Sequence, residues 1–167
     1  MLNKTTRRQF TNYAQEYYTA KEQEDTERTQ EIVKEWGFDT LGGDCIGSGS
    51  GRVVFDLDIC GHPDLCVKIA IPHPQWDGQQ QNSREVSIWN TVSEIQRDYL
   101  VEVVESGPDN YWMVMKKGQS IDNLPYNWLQ DAKYHLREIV WKKDISEDNI
   151  VKIDGKYKFC DYGVSPQ

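Results

Sequence analysis

Residues 144–163 read DISEDNIVKIDGKYKFCDYG, and only Val164-Ser165-Pro166-Gln167 follow. Two short apolar runs, NIVKI and YKFC, flank Asp154-Gly155, a residue pair suited to a two-residue hairpin turn. The stretch therefore predicts a β-hairpin, with Asp144 and Asn149 ahead of its first strand and Asp161 just past its second. On its own, such a segment is as well explained by aspartates capping turns on a surface hairpin. What stands upstream decides between that reading and a chemical one.

Working back from the hairpin, NLPYNWLQDAKYHLREIVW predicts a helix from about Tyr126 to Trp141, with Trp128, Leu129, Ala132, Leu136 and Val140 on its apolar face. Before it, YLVEVVESG and YWMVMKKG flank Pro108-Asp109-Asn110, a strand pair with a turn. SREVSIWNTVSEI reads as a helix capped by Ser83, with Val86, Ile88, Trp89 and Val92 on one side, and PHPQWDGQQQN ahead of it reads as a loop. VVFDLDI and LCVKIAI are short, rich in Val and Ile, and joined through CGHPD, so they predict two antiparallel strands. Gly42, Gly43, Gly47, Gly49 and Gly51 precede them. The sum is an α+β domain built on a five-stranded antiparallel sheet. Residues 1–36 are polar, charge-dense from Lys21 to Glu35, and carry Phe10, Tyr13, Tyr17, Ile32, Val33 and Trp36 at loosely helical spacing.

Composition bounds the partners. A chain of 167 residues holds one domain with a real core, and a net charge of −8 repels phosphate backbones and anionic lipid. Neither nucleic acid nor a membrane is an expected partner, and no run approaches the roughly 18 apolar residues of a membrane span. The N-terminus MLNKTTRRQFTNYAQEYY lacks the apolar region of a secretory signal, so a cytoplasmic location is expected. Cys45, Cys60, Cys66 and Cys160 form no C-x-x-C pair and have no His at metal-ligand spacing, which predicts reduced thiols.

The order of these parts resembles that of the protein kinases, from about Leu41 to Gly163: a Gly-rich strand turn, a strand with Val67-Lys68, a helix with Glu85, a strand ending at Met115, a helix, D-x4-N, then D-Y-G. IGSGSGRVVF matches G-x-G-x-x-G-x-V through Gly47, Gly49 and Val54, with Arg52 where the third glycine stands and Gly51 one residue before it. The resemblance implies that Gly47, Gly49 and Gly51 bring backbone close to the phosphates of ATP, and that Val54 and Cys66 pack on its base. Lys68 would contact the α and β phosphates while pairing with Glu85. Met115 would guard the back of the base pocket, and Lys116, Lys117 and Gly118 would form the hinge that hydrogen-bonds the base. Asp144 would orient the attacking hydroxyl and accept its proton. Asn149 and Asp161 would ligate magnesium, or manganese in its place, since carboxylate and carboxamide oxygens suit a hard cation.

The sequence also departs from that family. Lys142-Lys143 stand where the family has His-Arg, Ser146 replaces a lysine, and the residues after Gly163 are too few for an activation segment. The expected layout is thus a helical N-terminal extension over 1–36, an N-lobe over 37–118 with one glutamate-bearing helix, and a severely reduced C-lobe over 119–167. The extension is expected to turn Phe10, Tyr13, Tyr17 and Trp36 inward. The activity implied is ATP- and magnesium-dependent transfer of the γ-phosphate to a protein hydroxyl, on a substrate or on the chain itself. The alternative is a pseudokinase-like module that binds ATP and acts through a protein partner or a second copy covering the reduced lobe. A small-molecule phosphotransferase ranks below both, because such relatives carry His where Ser146 stands.

Overall fold

A computed structural model describes residues 1–36, 45–49, 51–58, 60–140 and 145–163, apart from the side chains of 34–36. Five strands form one sheet: β1 Cys45–Ser48, β2 Arg52–Asp56, β3 Leu65–Ala70, β4 Val103–Ser106 and β5 Trp112–Lys116. Their spatial order is β1-β2-β3-β5-β4, with every neighbouring pair antiparallel. This is the α+β architecture that the pattern of short Val- and Ile-rich runs predicts. Among the described residues, no helix is long and apolar enough to cross a membrane.

Central β3 is buried along its whole length, because the sheet is covered on both faces. Successive side chains of a strand point to opposite faces. Phe55, Val67 and Val114 accordingly align as one row across three strands, and Val54, Lys68 and Met113 as the next, facing the other way. The first row belongs to an apolar cluster with Leu65, Ile69 and Trp112; Cys66, Met113 and Met115 belong to a second cluster.

Helix α1, Lys4–Glu22, covers the first face, with α2, Thr26–Trp36, packed alongside it. Asn3 caps α1 by accepting the Thr6 N–H at 2.9 Å. One turn apart, Phe10 and Ala14 are buried, and the Phe10 ring meets Trp112 edge-on at 5.6 Å between centroids. The Trp112 indole N–H donates to Thr11 Oγ1 at 3.1 Å, so the buried polar atom has a partner. Tyr13 and Tyr17 are half-buried on the same cluster, as expected of this face. The Trp36 side chain lies outside the described residues.

Helix α3, Gly78–Thr91, lies against the second face and begins earlier than predicted. Asp77 caps it, not Ser83: the Asp77 carboxylate accepts the Gln80 N–H at 2.9 Å, and Ser83 sits exposed within the helix. Part of PHPQWDGQQQN is therefore helical. The periodic signal is weak there because buried Gln81 and Asn82 take places that apolar residues usually fill. The helix also stops sooner, at Thr91, and Ser93 caps the separate short α4, Glu94–Arg97, in a capping box with Gln96. Helix α5 likewise spans Tyr126–Leu136 rather than reaching Trp141, although Val140 still packs into the second cluster.

The closing hairpin, β6 Ile150–Ile153 with β7 Lys156–Phe159, forms as predicted around Asp154 (φ 50°) and Gly155 (φ 80°). It is clamped from two sides. Phe159 exchanges backbone hydrogen bonds with the 99–101 segment (N–H to Tyr99 O at 2.7 Å, O from Val101 N–H at 3.0 Å), and Lys152 does the same with Gln119 at 2.8 and 2.9 Å. Fully buried Tyr162 adds a hydroxyl bond to Val101 O at 2.8 Å.

Candidate functional site

A cleft of about 1160 Å³ opens between the second face of the sheet and the closing hairpin. That is ample for a nucleotide-sized ligand, for which pockets of roughly 300–1,000 Å³ are usual. Its walls bring together most of the residues singled out in the sequence. Gly47, Gly49, Gly51 and Val54 come from the β1–β2 hairpin, Cys66 and Lys68 from β3, Met115, Lys116 and Lys117 from the end of β5, and Asn149 and Asp161 from the hairpin opposite. Asp144, the expected base, lies outside the described residues.

Lys68 and Glu85 form a buried ion pair, with Lys68 Nζ 3.1 Å from each carboxylate oxygen. Strand parity puts Lys68 on the cleft face, and α3 lays Glu85, four residues past buried Gln81, against the same spot. Lys68 also donates to the Cys160 carbonyl at 2.6 Å, which ties β3 to the residue before Asp161. A lysine within an apolar strand is thus satisfied by pairing rather than by reaching out to solvent.

The structure adds a residue that the sequence marks only as standing in a glycine's place. Arg52 is buried, donates from Nη1 to Glu85 Oε1 at 2.5 Å, and from Nη2 to Asp161 Oδ1. Four charges thus meet in one cluster, two positive and two negative. Burial disfavours the Arg52 charge, but Glu85 and Asp161 more than offset this and hold the guanidinium protonated. Burial likewise pushes the Asp161 carboxyl up, while Arg52 and Lys68 outweigh it and keep the group below the ordinary carboxylate range. The signal for Arg52 was present in the sequence: it lies two residues before Val54 on one strand, hence on the same face as Val54 and Lys68.

Two glycines are explained by close packing. A Cβ at Gly51 would lie 1.9 Å from the Trp76 carbonyl oxygen, so its bareness lets β2 start against the segment that leads into α3. A Cβ at Gly163 would lie 2.4 Å from the Gln81 carbonyl oxygen and 3.0 Å from Glu85 Cγ, which seats the D-Y-G turn directly on the Glu85 helix.

The expected hinge looks different in detail. The Lys116 N–H already donates to Glu102 O at 3.1 Å and the Lys117 N–H to Asp64 O at 2.8 Å, so a base would not meet those two amides. The Lys117 ammonium turns back to Asp56 and Asp58, at 2.7 Å each, and straps this segment to the end of β2.

Asn149 and Asp161 flank the open end of the hairpin, where the Cys160 N–H donates to Asn149 O at 2.8 Å. As a metal site the arrangement fits poorly. The Asp161 carboxylate is ion-paired to Arg52, and among the described residues no group of three or more His, Cys, Asp or Glu stands where it would hold an ion. No protein-family model matches this sequence, and comparison with curated proteins finds no match either.

Proposed function

We propose that the chain is a protein-kinase-like domain that binds ATP in this cleft and acts as a regulatory module through a protein partner. The observation that carries the reading is the buried Lys68–Glu85 pair in a cleft walled by the Gly-rich β1–β2 hairpin on one side and the Asn149–Asp161 hairpin on the other. Lys68 would hold the phosphates, Val54, Cys66 and Met115 would pack on the base, and the open backbone at Gly49, where a Cβ would meet nothing within 4 Å, would leave room for the triphosphate. The Arg52–Asp161 pair favours binding over chemistry, because it engages the residue that a phosphotransferase would use for its metal. Helix α5 exposes Tyr126 and Tyr134, aromatic surface of the kind partner proteins cover.

The second reading is an ATP- and magnesium-dependent phosphotransferase that places the γ-phosphate on a protein hydroxyl, including one of its own. It is favoured by the convergence of Asn149 and Asp161 beside the cleft, and it would require Asp144 as base. One experiment separates the two. Calorimetric titration with ATP is expected to show saturable binding lost in Lys68→Ala. Intact mass after incubation with ATP and magnesium is expected to stay unchanged, whereas gain of a phosphoryl group by wild type but not by Asp144→Ala would establish transfer instead.

A further inference from the structure

We propose that Arg52 is a resident cation at the phosphate end of the cleft: it takes the electrostatic place of a metal ion at Asp161, so that nucleotide binds without a divalent cation. The inference rests on the ATP-binding reading above. Arg52 itself lines the cleft and is only 5 % exposed, and its guanidinium is gripped by Glu85 on one side and Asp161 on the other. It is a fixed part of the wall rather than a surface arm. A guanidinium does not lose its proton in a protein, so this charge is permanent.

Charge balance leads to the same place. Lys68 and Arg52 against Glu85 and Asp161 sum to zero with no ion added. A divalent ion at Asp161 would bring two further positive charges beside a buried guanidinium, and although Glu147 and Asp148 also line the cleft, no group of three or more His, Cys, Asp or Glu among the described residues is placed to hold it. A triphosphate would instead be met by hydrogen bonds from the cluster. Each terminal nitrogen of Arg52 carries two N–H groups and shows one carboxylate contact, which leaves donors for phosphate oxygens.

The test is ATP titration by calorimetry in excess EDTA and again in excess magnesium. Wild type is expected to bind with dissociation constants within about threefold of each other, and Arg52→Ala to lose about tenfold or more in EDTA. Asp161→Asn is the second variant, on a partly exposed residue. If Arg52 is the cation, this change frees the guanidinium for phosphate, and affinity in magnesium is kept or raised. If Asp161 is a metal ligand, affinity in magnesium drops about tenfold or more, which overturns the proposal. Wild-type binding that is tighter by that factor in magnesium than in EDTA overturns it as well, while leaving the ATP reading intact. No binding in either buffer removes the ATP reading and this inference with it.

Discussion

The two faces of the sheet are built on opposite principles. Against α1 the contact is apolar: Phe10, Ala14, Val67, Ile69, Trp112 and Val114 interlock, with Arg7–Glu105 at the margin. Against α3 and the closing hairpin, the same strands present Arg52 and Lys68 among Val54, Cys66 and Met115, and their charges are met by Glu85 and Asp161. Apolar contact is nondirectional and tolerates small displacement. The charged cluster depends on each partner, because an uncompensated buried charge costs far more than a lost methyl group. One face therefore serves stability, and the other holds a shaped, charged wall open to a cleft.

The sharpest way to break this contrast is Glu85→Ala. It leaves Lys68 and Arg52 buried around a missing carboxylate and is expected to destabilise by about 3–5 kcal/mol in denaturant titration, so the variant is expected to be largely unfolded or molten. A loss below about 1 kcal/mol would show that the cluster is well hydrated in solution.

Phe10→Ala probes the other face. Cavity formation beside Trp112 is expected to cost about 3 kcal/mol, read as a lower denaturation midpoint. At a temperature where the variant is folded, its ATP affinity is expected to match wild type, since Phe10 packs in the cluster on the other face of the sheet and is not among the residues that line the cleft. Parallel loss of affinity would mean that the faces are not independent.

Acid is expected to act on the charged face through Asp161. The Asp161 pKa is held below its ordinary value of 3.8, so its stabilising contribution is fully present above that value and is lost as pH falls through the lowered one. Between pH 7 and about pH 3, wild type is expected to lose more stability than Asp161→Asn. Equal losses would remove Asp161 from the linkage.

The smallest effect concerns thiols. Burial pushes Cys66 and Cys160, both on the cleft side, up to about 11, whereas Cys45 is exposed. Iodoacetamide at about pH 8 is expected to label Cys45 at least about tenfold faster than either, as followed by peptide mass spectrometry. Labelling of Cys160 at the Cys45 rate would show that the hairpin lifts away from β3 in solution.

Much of this was legible in the chain. Alternation over LCVKIAI put Lys68 opposite Val67 and Ile69, and a lone charge in such a strand has to find a partner. Asp154-Gly155 announced the hairpin through the left-handed backbone its turn requires. The start of α3 was not legible, because its buried face runs through Gln81, Asn82 and Glu85 instead of apolar residues. Nor was the engagement of the Lys116 and Lys117 amides, which depends on Glu102 and Asp64 arriving from other segments.

The sequence by itself determined which side chains share a face, since strand and helix periods are local properties of the backbone. Tertiary structure decided which faces meet and what each charge pairs with. Arg52 and Asp161 are 109 residues apart, and their contact exists only because β2, α3 and the closing hairpin converge on Glu85. No local rule distinguishes an arginine that merely replaces a glycine from one that bridges two carboxylates. The difference lies in burial, which strips the guanidinium of water and makes the carboxylates around it obligatory.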